Sequence, residues 1–229
     1  MSNGERLLQA WERAATRSGA AREAALLGRE PRSLAERNRL ALDRYAEFFG
    51  APVELTGRCA HCATEVELAI DATQCAAALP PAQAGHDDGG GWYVLPGDGD
   101  GTRFRLPLPS DLHALQDIDD DVAFADALLD RCVEGAAPAG QAQREAIVQR
   151  MQELQPAAAL EFSLRCPACG QTWTAPLDPV DLLWRVLRSQ AERLLAEIAV
   201  LARRFGWSER DVLALGPVRR AAYLQLAEA

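Results

Sequence analysis

Apolar residues recur three or four positions apart toward both ends of the chain and at every second position in stretches between them, so helices are expected at the ends and short strands inside. In the first fifty residues Leu7, Leu8 and Trp11 share one helical face, and a break falls near Ser18 and Gly19. Ser33 followed by Glu36 has the spacing of a capping box for a helix over "LAERNRLALDRYAEFFG", closed by Gly50. Leu42, Tyr45 and Phe49 form its expected buried stripe. "PVELT" reads as a strand, as does "TEVELAID", where Val66, Leu68 and Ile70 alternate with Glu65 and Glu67. "ALPPAQAGHDDGGG" reads as an exposed loop, and "WYVL" and "TRFRLPL" as a hairpin around the turn "PGDGDG".

Helices are expected again at "DLHAL", "DVAFADALLDRCVEG" and "QREAIVQRMQELQ", the last stopped before Pro156, and "ALEFSLRC" reads as a strand. The strongest periodic run is Val180, Leu183, Trp184, Leu187, Ala191, Leu194, Ile198, Leu201 and Phe205, which predicts one long amphipathic helix. Gly206 ends it, Ser208 with Asp211 starts a short helix, and Pro217 opens a last one over "VRRAAYLQLAE". Such a stripe packs on the chain's own core or docks a partner.

Candidate chemistry enters with the cysteines. Four of the six fall into two C-x-x-C pairs, Cys59 with Cys62 in "GRCAHCATEV" and Cys166 with Cys169 in "LRCPACGQTW". Cys75 and Cys132 stand alone and read as small core hydrophobes. A zinc ion takes four tetrahedral thiolates, and a C-x-x-C turn supplies two of them with backbone N–H groups aimed at the sulfurs. A redox pair would instead place its first cysteine at a helix N-terminus. The segment after Cys169, "GQTWTAPLDP", reads as a turn and a short strand, so both pairs look like zinc-ribbon knuckles opening onto strands. One structural zinc held by Cys59, Cys62, Cys166 and Cys169 is the reading that the spacing favours over disulfides or thiol redox chemistry. The 103 residues that separate the pairs, 63 to 165, exceed usual ribbon spacing, so a shared metal requires a large insertion. His61 reads as a spacer within the first knuckle, and Asp98 and Asp100 as a solvated turn that lacks the pattern of a calcium loop.

Charge narrows the choice of partner. The net charge is −9 and every one of the 24 basic residues is Arg. Residues 51–178 carry seven Arg against twenty acids, while the two flanks are each slightly basic. A cysteine-bearing region of that sign repels phosphate, which argues against nucleic acid as a partner. The opening "MSNGERLLQAWER" has no signal-peptide pattern, and no run reaches the roughly 18 apolar residues of a membrane span, so a cytoplasmic protein with reduced thiols is expected. Four cysteines close a zinc shell to water, and no H-E-x-x-H, H-x-E with a matched P-C-x-x-C, or G-x-x-x-x-G-K-[ST] pattern occurs, so neither an enzyme nor a small-molecule substrate is expected.

The chain also resembles the T-even (T-four-like) phage baseplate protein family, found in contractile phage tails and related injection systems. "LLQAWERA", "FRLPLPSDLHAL", "LLDRCV" and "CPACGQTWTAPLDPVDLLW" carry the resemblance, which is most specific over "LARRFGWSERDVLALGPVRRAAYLQL". There Trp207, Ser208, Asp211, Val212, Leu213, Leu215, Arg219, Arg220 and Tyr223 match recurring family elements. The first knuckle departs from it, reading "CAHCA" in place of a CPxCG-like form, and Val218 stands where a bulkier residue is usual. The resemblance implies a component or assembly factor of the baseplate hub, with hub or spike proteins as partners.

Together these readings predict an α+β protein: N-terminal helices (1–50), a first knuckle with hairpins (51–110), an acidic helical insertion (111–156), a second knuckle completing the ribbon (157–178) and a C-terminal helical region (179–229). Trp184, Trp207, Arg219, Arg220 and Tyr223 are its candidate partner-binding residues. The alternatives are a nucleic-acid-associated or regulatory zinc-ribbon binding protein and, behind it, a C-x-x-C thiol oxidoreductase.

Overall fold

A computed structural model describes residues 2–80, 91–97, 99, 101–135 and 140–228. Most of the expected loop, residues 81–90, and the turn residues Asp98 and Asp100 lie outside the described residues. The element order is α1 (Asn3–Ala15), α2 (Gly19–Leu27), α3 (Leu34–Phe49), β1 (Pro52–Arg58), β2 (Glu65–Asp71), α4 (Ala72–Ala78), β3 (Trp92–Val94) and β4 (Arg103–Arg105). Then come α5 (Pro109–Ala114), α6 (Asp121–Cys132), α7 (Gln141–Leu154), β5 (Leu160–Arg165), β6 (Thr172–Leu177), α8 (Pro179–Phe205), α9 (Glu209–Leu213) and α10 (Pro217–Glu228). The protein is thus a mixed α+β chain with small antiparallel sheets, and no helix among the described residues is long and apolar enough to cross a membrane.

It divides into two compact units, residues 1–26 with 181–229, and residues 27–180. In the first unit α1 begins with a complete capping box: the Glu5 amide donates to Ser2 Oγ at 3.2 Å and the Ser2 amide to Glu5 Oε2 at 2.7 Å. Leu7, Leu8, Ala10 and Ala14 bury one face of α1, and Leu183, Leu187, Ala191, Leu194, Ile198 and Leu201 bury one stripe of α8. At Gly4 a β-carbon would lie 3.0 Å from Leu213 Cδ2 and 3.3 Å from Leu194 Cδ2, so a side chain there would push these methyl groups aside by a few tenths of an ångström. The buried stripe stops at Leu201. Phe205 is exposed, because Gly206, at φ 68°, turns the chain and Phe205 stacks on Trp207 instead.

In the second unit β1 pairs with β2, β3 with β4, and β5 with β6, as three separate two-stranded sheets. Contrary to expectation, the β3–β4 hairpin belongs with the helical insertion. Phe104 and Leu95 share one core with Leu129 and Val133 of the α6 region and with Ile147 and Leu154 of α7. Asp111 locks the same region: it accepts hydrogen bonds from Arg105 at 2.6 and 2.9 Å, from the Leu108 amide at 2.9 Å and from Arg131 at 3.1 Å. Burial alone would raise the Asp111 carboxyl, but these donors hold it below its ordinary value. Cys132 is fully buried beside this network, and burial pushes its thiol up to about 11.

Several local expectations change for identifiable reasons. Only half of the capping box at α3 forms, since the Glu36 amide donates to Ser33 Oγ while the Glu36 carboxylate accepts from the Arg32 amide and Arg29, both at 2.6 Å. Phe48 takes the buried position expected of Phe49, because the covered stripe runs through Ala41, Tyr45 and Phe48 at i, i+4 and i+7. A short helix that was not expected, α4, fills the chain between β2 and the expected loop, because Asp71 caps it by accepting from the Gln74 amide at 2.8 Å, and Cys75 on that helix is half-buried rather than core.

Candidate metal centre

Each cysteine pair sits at the turn of a hairpin, and the two turns share one hydrogen-bond plan. The Cys59 amide donates to Thr64 O and the Ala63 amide to Cys59 O, both at 2.9 Å; the Cys166 amide donates to Gln171 O and the Gly170 amide to Cys166 O, again at 2.9 Å. The fifth residue of each turn is left-handed, Ala63 at φ 58° and Gly170 at φ 72°. Ala63 is the one non-glycine residue with positive φ among the described residues. The plan turns the amides of Thr64 and Gln171 toward Cys62 and Cys169 respectively.

The four sulfurs converge. Cys59, Cys62, Cys166 and Cys169 each place Sγ within 4.8 Å of the other three. Cys59 Sγ lies 3.8 Å from Cys169 Sγ, and Cys62 Sγ lies 3.6 Å from Cys166 Sγ. Ligands about 2.3 Å from a tetrahedral zinc lie about 3.8 Å apart, so these separations suit a shared ion, whereas a disulfide needs about 2.05 Å. All four thiols are free. In each pair the first cysteine is buried and the second exposed.

A sequence signal that the long insertion hides accounts for this equivalence. Residues 52–71 align without a gap on residues 159–178 at an offset of 107 positions. Glu54 matches Glu161, Arg58 matches Arg165, Cys59 and Cys62 match Cys166 and Cys169, and Asp71 matches Asp178, with Leu55/Phe162 and Thr56/Ser163 similar. Strand register repeats as well, Arg58 opposite Glu65 and Arg165 opposite Thr172. Exchanging the two hairpins converts the Cys59–Cys169 approach into the Cys166–Cys62 approach, so 3.8 and 3.6 Å are the two halves of one approximate two-fold arrangement. The equivalent positions Gly57 and Leu164 meet each other: a β-carbon on Gly57 would lie 4.0 Å from Leu164 Cδ1.

Electrostatics distinguish the thiols. The hydroxyl and amide of Thr64 hydrogen-bond Cys62 and lower its thiol to about 6. The Gln171 amide acts in the same sense on Cys169, but desolvation and the three neighbouring sulfurs outweigh it and push that thiol up to about 12. Four adjacent thiols cannot all ionise unless a cation offsets their charge, and a soft divalent metal does so. His61 is exposed and lines, with Cys59, Ala60, Gln171, Thr172 and Trp173, a cleft of about 280 Å³ beside the cluster.

Asp178, at the exit of the second hairpin, clasps Arg37 of α3 through two hydrogen bonds of 3.1 and 3.0 Å and accepts from the Val180 amide at 2.8 Å. Asn38 donates to Ala157 O at 2.9 Å and Ala158 O at 3.0 Å just before the same hairpin. Helix α3 thereby positions the second hairpin from both ends, a role that no motif in its sequence announces.

The candidate partner residues lie in the other unit and contact one another. Phe205 stacks on Trp207 at 5.0 Å, Tyr223 meets Trp207 edge-on at 4.8 Å, and Arg220 pairs with Glu197 at 2.7 Å. Arg22 covers the Trp184 ring at 5.1 Å. Trp184, Trp207 and Tyr223 are half-buried, whereas Arg219 is exposed. With known proteins the chain finds no counterpart: no family profile, no curated protein and no solved structure matches it.

Proposed function

We propose that the chain is a non-enzymatic structural or assembly protein of a contractile-tail or injection-system baseplate, organised around one structural zinc in a ribbon-like centre. The observation that carries the zinc reading is the convergence of four free sulfurs from two like hairpins at spacings suited to tetrahedral coordination. Cys59, Cys62, Cys166 and Cys169 would hold the ion and leave it no open position for water, so its contribution is to the fold. It would tie together two hairpins whose cysteine pairs are 103 residues apart in the chain and whose sheets share no strand pairing.

The baseplate reading is supported by "CPACGQTWTAPLDPVDLLW" and by the C-terminal "FGWSERDVLALGPVRRAAYLQL". Its helical context suits docking, since α10 leaves Val218 82% and Leu226 60% exposed, with Arg219 exposed beside Val218. The partners would be hub or spike proteins, which test the reading. Tagged protein, isolated from cells assembling contractile particles, is expected to retain a hub or spike protein, and deletion of the gene is expected to abolish intact baseplates. Normal particles in the deletion strain, with no tail protein retained by the tag, would overturn it.

A further inference from the structure

We infer that the four-cysteine centre is a peroxide-responsive switch, in which oxidation joins the two hairpins through Cys59–Cys169 and Cys62–Cys166 disulfides while the metal is released. This rests on the metal reading above and assigns a regulation to that site. Cys62 and Cys169 are the solvent-accessible cysteines of the two hairpins, Cys62 the more open of them, while Cys59 and Cys166 are buried. Each exposed sulfur lies against a buried sulfur of the opposite hairpin, at 3.6 Å for Cys62–Cys166 and 3.8 Å for Cys169–Cys59. Forming a bond of about 2.05 Å from there requires each pair to close by less than about 2 Å. The approximate two-fold makes the two closures alike in geometry, and Cys75 and Cys132 lie outside the cluster.

The chemistry balances with hydrogen peroxide as the oxidant. The Cys62 thiolate attacks the O–O bond; an S–O bond forms, hydroxide leaves and takes a proton to become water, and the sulfur is oxidised to a sulfenic acid. The Cys166 thiolate then attacks that sulfur; the S–S bond forms, the S–O bond breaks, and a second hydroxide leaves as water after protonation. Cys169 and Cys59 repeat the sequence with a second peroxide. Altogether four thiolates, two peroxides and four protons give two disulfides and four waters, and the divalent ion is left without ligands. A thiol reductant returns the four thiols and the capacity to bind metal.

The experiment uses full-length zinc-loaded protein carrying Cys75→Ala and Cys132→Ala, with wild type in parallel. Hydrogen peroxide is titrated in, released zinc is read with a chromogenic chelator, and disulfides are mapped by mass spectrometry without reduction. The expected result is one zinc released per two peroxides, with Cys59–Cys169 and Cys62–Cys166 cross-links dominant and both reversed by dithiothreitol. If the double variant fails to fold, the same mapping on wild type decides. Zinc retained under excess peroxide, Cys59–Cys62 and Cys166–Cys169 linkages, or sulfinic acids in place of disulfides would overturn the switch and leave the metal reading standing. Reduced protein that takes up no zinc at all would overturn both.

Discussion

At the left-handed turn behind each cysteine pair, the first hairpin carries Ala63 and the second Gly170, at φ 58° and 72°. The hydrogen bonds around the two positions are the same to a tenth of an ångström. A β-carbon in this conformation costs on the order of 1 kcal/mol, because it crowds the next carbonyl. The first hairpin nonetheless keeps the second one's geometry. The knuckle is therefore set by its paired amides and converging sulfurs, and the glycine eases it without defining it.

The largest test of that equivalence removes a ligand from either side. Cys59→Ser and Cys166→Ser each take away a buried sulfur, and structural zinc contributes on the order of 10 to 16 kcal/mol in small domains, comparable with a whole domain's stability. Both variants are expected to lose zinc and the cooperative melt of residues 27–180, as read by metal analysis and circular dichroism. A variant at either position that keeps full zinc content and the wild-type melt would break the comparison.

Acid provides a second and graded test. Metal-bound cysteines are thiolates, so binding depresses their pKa values, and the stability it confers is present at high pH and lost as pH falls. In the metal-free protein Cys62 is already ionised above about 6 while Cys169 stays protonated up to about 12. Zinc binding is therefore expected to release roughly one more proton per ion at pH 5 than at pH 7, and affinity to fall more steeply below about 6. Calorimetry in buffers of different ionisation enthalpy measures the count, and proton release that does not change between these pH values would contradict the Cys62 assignment.

A smaller contrast separates the two exits. Asp178→Ala takes the carboxylate from the Arg37 guanidinium, whose side chain is 11% exposed, and the acceptor from the Val180 amide, and is expected to destabilise by about 2 kcal/mol. Asp71→Ala loses only the α4 cap, about 1 kcal/mol. Urea melts that show equal losses would deny α3 its positioning role. Smallest is the swap at the turn: Ala63→Gly is expected to stabilise, and Gly170→Ala to destabilise, each by roughly 1 kcal/mol. The same melts check it, and a change at one turn with none at the other would show that the two turns are not equivalent.

Much of this organisation was legible beforehand because it is local. Three-residue and four-residue spacing announced α8, the strict alternation from Glu65 to Ile70 announced β2, and two C-x-x-C pairs announced the four sulfurs. What stayed hidden was non-local. Nothing in "WYVL" or "TRFRLPL" says that Phe104 packs against Ile147 instead of joining the knuckle hairpins. The repeat at an offset of 107 was masked because its strands kept the alternation of apolar and polar positions but neither size nor identity, Val66 facing Trp173 and Leu68 facing Ala175 in the alignment. Phe205 fitted the α8 stripe by spacing, yet the turn at Gly206 gave it Trp207 as a neighbour.

The most direct test of the central claim, one metal shared by both hairpins, is the metal content of reduced full-length protein after cobalt substitution. One cobalt per chain, with the intense sulfur-to-metal absorption of a tetrahedral thiolate site and its loss in both Cys59→Ser and Cys166→Ser, is the predicted result. No bound metal, or a site that survives the loss of either hairpin's cysteine, would contradict it.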